Sequence, residues 1–271
     1  MKSRSNSPGL LTLTLPSCYS EGMRSLRPLL RRIYYEQIAH RHLLNRWKLA
    51  AAYLRGEGIE IGALDQSLPV PRCAHVTYVD RMTVPALRRQ YPELKSLRLT
   101  RVDIVDDGEE LASFADGSQD FVIANHFIEH CANPVAAIEY HFRVLKVGGC
   151  LFMATPDKRF TFDQCRVATP LSHLWHDYEG RPDWTKERHF EEFVRGMNAF
   201  HGQGLTEEQI RKSTEDLLAQ DYSIHYHVWT ADSWLEFVLS LRQLLDFGME
   251  VFLHNGLECD IVLRKRPSGA P

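Results

Sequence analysis

From Gly56 onward the chain alternates short apolar runs with longer segments of helical spacing. The runs are "GIEI", "HVTYV", "LRLTRV", "DFVIAN", "GCLFMAT", "MEVFLH" and "ECDIVLRKR". Strands separated by helices imply crossover connections and a mainly parallel α/β sheet, doubly wound, with both faces covered. Between Asn133 and Leu145 the pattern predicts a helix: Asn133 caps it, Pro134 suits its first position, and Val135, Ile138, Phe142 and Leu145 share one face. Gly148 and Gly149 are expected to end it. Only "NGLE" separates the last two runs, so they should form an antiparallel hairpin at the sheet's edge, with Asn255-Gly256 in the turn. A dinucleotide-binding sheet of this architecture is ordinarily all parallel, so a reversed last strand points elsewhere.

The flanking and inserted segments follow other patterns. Residues 1–24 are rich in Ser, Pro and Thr and are expected to lack fixed structure, while 25–55 keeps apolar residues at helical spacing among basic ones. That stretch reads as amphipathic helix, packed beside the domain with its basic face in water or docked on an anionic membrane surface or acidic partner. Between Asp157 and His227 the strand pattern stops and an acidic, helix-forming segment takes over, placed where substrate lids are often found. Within it Thr206 and Gln209 form a capping box, and Thr185 caps "KERHFEEFVRGM".

Composition narrows the function classes. The 271 residues carry a formal charge of −3, which argues against a protein built to wrap a nucleic acid. The first 55 residues hold ten basic against two acidic side chains, a local +8 that leaves −11 for the rest. Cys18, Cys73, Cys131, Cys150, Cys165 and Cys259 show neither a disulfide framework nor zinc-ligand spacing, so reduced thiols in a cytoplasmic protein are expected. No apolar stretch approaches the ~20 residues that span a bilayer. "GLLTLTLP" is short for a signal-peptide core, and "SCYS" is a poor cleavage site.

In parallel sheets a ligand sits beyond the carboxyl ends of the strands, near the point where strand order reverses. The first such end is "GIEIGA", where Gly62 and Ala63 let backbone approach a ligand and Glu60 can accept a hydrogen bond. Gly56 and Gly58 precede this strand, so they are not a dinucleotide fingerprint. The second end closes on Asp80 and Arg81, and Asp80 stands twenty residues after Glu60, where an acid commonly binds a ribose diol; alone it would read as a helix cap. At the third, Asp103 and Ile104 can border an adenine, whereas Asp106, Asp107, Glu109 and Glu110 read as a solvated loop. The fourth presents Asn125 and His126, followed by Glu129 and His130.

"FADGSQDFVIANHFIEHCANPVAAIEYHFRVLKVGGCLFMATPDK" resembles the corresponding stretch of class I S-adenosylmethionine-dependent methyltransferases, with an Asp-Gly-Ser, a strand, a Glu-His pair and an Arg-Val-Leu-Lys-x-Gly-Gly turn in that order. The likeness runs from Gly58 to about Arg159 and resumes from "HVWTADSW". It implies a seven-stranded Rossmann-like methyltransferase fold with an antiparallel last strand, a catalytic domain over 56–271 and a helical lid over 157–227. It also implies S-adenosyl-L-methionine as cofactor: Glu60, Gly62 and Ala63 under its methionine part, Asp80 and Arg81 at the ribose, Asp103 and Ile104 at the adenine, Asn125 and His126 near the sulfonium. The chain departs from the family in its first turn, where Leu64 and Gln66 stand in place of two glycines. A cofactor without pyrophosphate tolerates a bulkier turn, so the loss counts against NAD more than against S-adenosylmethionine.

Methyl transfer is an in-line displacement at an activated carbon, so the enzyme positions a nucleophile and, for a hydroxyl, removes its proton. His130, His225 and His227 are the candidate bases, though each histidine alone is more often structural. His173, His176 and Asp177 with His225 and His227 could supply metal ligands, but no spacing joins them and no metal is expected. Lys158 and Arg159 sit where an anionic substrate could be met or in a solvated loop. Trp175, Tyr178, Trp184 and Phe190 either cover a substrate or pack the lid. Without a basic, aromatic-studded groove, the acceptor is expected to be a small-molecule or sugar/glycan hydroxyl and not a nucleic acid. An aminopropyl transferase-like enzyme, or a cofactor-binding scaffold that has lost catalysis, are the rival readings. Oligomeric state stays open.

Overall fold

Seven strands form one sheet in the order β3-β2-β1-β4-β5-β7-β6. The computed structural model describes residues 45–181, 184–267 and 269. The expectations for residues 1–24 and for most of 25–55 lie outside them. In chain order the elements are α1 (Arg46–Tyr53), β1 (Gly56–Ile61), β2 (Ala74–Asp80), α2 (Val84–Gln90), β3 (Ile104–Val105), β4 (Gln119–Asn125), α3 (Pro134–Val144), β5 (Leu145–Pro156), α4 (Leu171–Tyr178), α5 (Lys186–His201), α6 (Glu207–Ala219), α7 (Ala231–Ser240), β6 (Phe247–His254) and β7 (Glu258–Lys265).

The strand order reverses between β1 and β4, which pair in parallel with Glu60 opposite Ile123. β1 also pairs in parallel with β2, and β4 with β5. The hairpin expected at the edge is present, and its second arm, β7, slots between β5 and β6 antiparallel to both. β7 alone runs against the rest. Asn255 closes the hairpin, its side-chain oxygen accepting from the amides of Leu257 and Glu258.

Alternation along β4 divides the core between the sheet's two faces. Val122 and Ala124 pack with Val135, Ile138 and Phe142 of α3 and with Trp234 and Phe237 of α7. Phe121 and Ile123 face the other way, toward Leu49 and Ala50 of α1, Phe152 and Val262. The four residues expected on one face of α3 and just beyond it, Val135, Ile138, Phe142 and Leu145, are all buried. Truncating Ile138 to alanine would therefore cost about 2–5 kcal/mol.

Two boundaries differ from the sequence expectation. The helix after Asn133 stops at Val144, and Leu145 already pairs with Gln119, so Gly148 and Gly149 lie inside β5 beside a register shift. "LRLTRV" is not a strand: β3 is only Ile104–Val105, because Asp103 turns its own carboxylate onto the amide of Tyr78 at 3.0 Å. A side-chain acceptor there replaces the carbonyl that a longer strand would bring. Between Asp157 and His227 the described residues form no strand, and α4, α5 and α6 fill the segment. Thr185 caps α5, and the Thr206–Gln209 capping box starts α6.

Candidate active site

The tips of β1 and β2 lie side by side. The amide of Gly62 donates to Val79 O at 2.9 Å, and Gly62 adopts φ +63, a left-handed turn that glycine enters without strain. Leu64 also lies in this region, at φ +45. The backbone thus keeps a glycine-type bend although the glycine is gone. Leu64 packs among Leu87, Tyr91 and Leu94, and its carbonyl accepts from Thr100 N at 2.6 Å.

Glu60 is buried at 1 % exposure, with Oε1 accepting from Leu68 N at 2.8 Å. Burial pushes its carboxyl up to about 7 in spite of that bond. Glu60 Oε2 and Asn125 Oδ1 are buried acceptors without a hydrogen-bond partner. Asp80, also buried, holds Met82 N at 3.3 Å, and burial raises its carboxyl as well. Unused acceptors at the ends of β1 and β4, with the Asp80 carboxylate at the end of β2 beside them, suit a ligand carrying an ammonium group and a diol.

Beyond β3 the chain bends through Asp106, Asp107 and Glu109. Asp106 N donates to Asp80 O, and Gly108 packs so closely that a Cβ there would meet Ile61 Cγ2 at 2.4 Å. His141, buried in α3, donates from Nε2 to Gly108 O at 2.8 Å and so pins the loop. This loop, read from the sequence as solvated, forms one wall of a cavity of about 770 Å³. Glu109 is half-buried there. Burial first and the charge of Asp107 second push its carboxyl up to about 7, although the amides of Asn133 and Ala132 donate to it. The opposite wall comes from the helical segment, through Asp177, Trp184, His189 and Tyr226.

The three candidate bases have different surroundings. His130 lines the cavity. Its Nδ1 lies 2.9 Å from Ile224 O, an acceptor only, so the proton resides on Nδ1 and Nε2 carries the lone pair. Burial first, with His225 adding to it, lowers it to about 4. His225 stands edge-on to His130 at 4.7 Å and donates from Nδ1 to Asp163 Oδ2 at 2.7 Å. Asp163 is in turn held by Arg166, both being buried. His227 is fully buried, which removes it from contact with an acceptor. It joins His173 and His189, and one ligand-capable atom from each lies within 4.8 Å of the others. His173 Nε2 is 3.3 Å from Asp177 Oδ2. The sequence offers His173, Asp177 and His227 as possible metal ligands but not His189, and no spacing joins them, because α4, α5 and the segment before α7 contribute one imidazole each.

Other sequence candidates take structural positions. Arg81 leaves the tip of β2 to bind the Tyr91 hydroxyl and Asp221, whose side chain and carbonyl it reaches at 3.0 Å. Asp103 stands before β3, with Oδ1 on Arg101 at 2.8 Å. The carboxyl end of β3 is therefore formed by Val105, Asp106 and Asp107, and Ile104 lies inside the strand. His126, at φ +49, has a half-exposed ring 2.8 Å from Glu258 and 3.5 Å from buried Glu129. Burial alone would lower it, but the hydrogen bonds and charges of those two carboxylates hold it up to about 10. The ring is thus paired with Glu258 and lies near the Glu129 carboxylate. Ala63 continues the turn after Gly62, its carbonyl accepting from Gln66 N. Lys158 is buried with its ammonium on Gln164 O, and Arg159 forks onto Asp157, so neither awaits a substrate anion. Among the described residues the five cysteines are free thiols.

A sheet whose strand order reverses between β1 and β4, with acids at the strand tips beside the reversal, has the architecture of a ligand-binding α/β enzyme with its site at that switch point. A family model described as a methyltransferase domain matches residues 55–153. A probable S-adenosylmethionine-dependent methyltransferase of Mycolicibacterium smegmatis is 30% identical over 190 residues, 69% of this chain and 68% of that protein. The chain belongs to the class I S-adenosylmethionine-dependent methyltransferases, and S-adenosylmethionine is its cofactor. Two solved structures are also similar: a SAM-dependent methyltransferase from Aquifex aeolicus (10% identity, 80% of this chain and 85% of that one, TM-score 0.42) and one from Methanosarcina mazei (16% identity, 82% and 99%, TM-score 0.44). No helix among the described residues is long and apolar enough to cross a membrane.

Proposed function

We propose that this methyltransferase transfers its methyl group to a hydroxyl oxygen of a small, uncharged, polyhydroxylated acceptor such as a sugar or the end of a glycan. The carrying observation is the lining of the cavity between the strand tips and the helical segment. Asp106, Asp107, Glu109 and Asp177 face it together with the rings of Trp184 and Tyr226. Carboxylates bind hydroxyl groups and aromatic rings stack on the apolar face of a sugar ring, whereas an acidic wall repels phosphates. The two cations on the lining, Arg81 and Lys186, are both committed to Asp221. This supports the exclusion of nucleic acid.

Glu109 is the proposed proton acceptor. A base works best when its pKa lies near the working pH, and Glu109 meets that condition where His130, near 4, does not. The lone pair on His130 Nε2 is suited to orienting the hydroxyl. Asp80 and the acceptors on Glu60 and Asn125 are proposed to hold the ribose and the amino-acid end of the cofactor. The 157–227 segment acts in this reading as the acceptor-binding lid.

The test is transfer from methyl-labelled S-adenosylmethionine to a panel of neutral sugars, short glycans, phenols, amines and carboxylic acids, read by mass spectrometry. Label in an acid-stable, base-stable methyl ether of a sugar is the expected result. Transfer confined to amines or carboxylates would overturn the reading.

A further inference from the structure

The three-histidine cluster beside the cavity has the form of a metal site. His173 comes from α4, His189 from α5 and His227 from the segment before α7, and a single ion could reach one ligand atom of each. All three side chains are buried. Three imidazoles meeting in a protein interior need a reason, since packing alone is better served by apolar side chains.

The outward nitrogens are arranged as they are behind a bound metal. A ligating histidine commonly donates its second ring N–H to a backbone carbonyl or a carboxylate, which fixes the tautomer and aims the other nitrogen. His189 Nδ1 lies 3.3 Å from Tyr226 O, leaving Nε2 as the ligand atom. His227 Nε2 lies 3.3 Å from Ala132 O, leaving Nδ1. That Nδ1 is buried and has no hydrogen-bond partner. Asp177 adds a carboxylate 3.3 Å from His173 Nε2 and 3.8 Å from His227 Nε2. Its charge offsets part of that of a divalent ion.

We infer that His173, His189 and His227 bind one zinc ion, with Asp177 beside them, and that the remaining coordination position opens onto the acceptor cavity. Nitrogen-rich sets of three histidines suit zinc, and three protein ligands with an open position are the pattern of reactive zinc sites. His189 and Asp177 both line the cavity, which sets the cluster against its wall. An acceptor oxygen bound there would be oriented and polarised. This last step rests on the proposed acceptor cavity; metal binding does not.

The experiment uses the full chain, stripped with a chelator, titrated with ZnCl2 by calorimetry and separately loaded with Co2+ for absorption spectroscopy. One ion per chain is expected, together with a tetrahedral Co2+ spectrum lacking a thiolate charge-transfer band. His227→Gln and His189→Gln should each weaken zinc binding at least ~100-fold, beyond the loss typical of an outer partner. Binding of S-adenosylmethionine, measured by calorimetry on the stripped chain, should be unchanged. No zinc binding by the intact chain, a thiolate band, or variants that bind zinc like the parent would overturn the site. Zinc bound with methyl transfer indifferent to its removal would keep the ion and overturn its place in acceptor binding. Failure of the acceptor reading alone would leave the titration unaltered.

Discussion

The amide of Gly62 donates to the carbonyl of Val79 across 2.9 Å, so the turn leaving β1 is fastened one residue from Asp80. A ligand reaching from one strand end to the other meets a backbone elbow and a buried carboxylate together. The adjacency follows from the parallel register of β1 on β2, in which Ile61 faces Val79.

Asp80→Ala should weaken S-adenosylmethionine binding about 10- to 100-fold, since a hydrogen bond to a charged group contributes about 1.5–3 kcal/mol. Calorimetry on the purified chain checks this, with thermal unfolding to show that the fold survives. An unchanged dissociation constant would mean that the ribose is held elsewhere.

Leu64 sets backbone strain against packing. A left-handed residue with a Cβ costs roughly 1–2 kcal/mol, which Leu64→Gly relieves and Leu64→Ala retains, while both lose the contacts with Leu87 and Leu94. Leu64→Gly should therefore be more stable than Leu64→Ala by about 1 kcal/mol in urea unfolding. Equal stabilities would show that the turn relaxes once the side chain is shortened.

Glu60 gives the stability a pH dependence of definite sign. Its carboxyl is raised from 4.5 to about 7 in the folded chain, which therefore binds more protons than the unfolded chain between those values. The contribution is complete below about 4.5 and is lost as pH rises through 7. Relative to Glu60→Gln, the cofactor-free protein should lose about 3 kcal/mol across that window, a 2.5-unit shift taken at 1.36 kcal/mol per unit. Paired urea titrations at several pH values measure it; parallel curves would mean that Glu60 stays ionised.

The proposed base should appear in the rate. If Glu109 takes the proton, kcat/KM rises with pH through about 7 as the carboxylate forms, and Glu109→Gln removes that limb and lowers kcat by about 10²- to 10⁴-fold. The charges bearing on it are Asp107 and Glu110 of its own loop, while Cys131 and Tyr226 from the facing segments are neutral groups whose own ionisation its charge disfavours. A profile already flat above pH 5 would move the role to His130.

Features decided within a few residues were legible in the sequence. Asn133, Thr185 and Thr206 cap the helices that their spacing announces, and the Asn255-Gly256 turn closes the expected hairpin. Asp103 was misplaced because "LRLTRV" has a strand's composition, while the actual pairing waits until Ile104, and only the partner strand shows that. Glu109 was hidden in a run of acids whose composition is that of a solvated loop. Gly108 inside the run was the available sign of close packing, since it lies against Ile61. Of the imidazole cluster, His173 and His227 were legible as possible ligands, but His189 was not, and the grouping arises only through the packing of the helical segment.

The grip of Arg81 on Asp221 joins the second strand of the sheet to the far end of the helical segment. Excising that segment to obtain a minimal catalytic module would strand a guanidinium beside Tyr91 and unroof the cavity in the same cut. The helical segment is thus not an accessory that evolution or an engineer could exchange like a cap on a bottle; any replacement has to present an acid to that arginine.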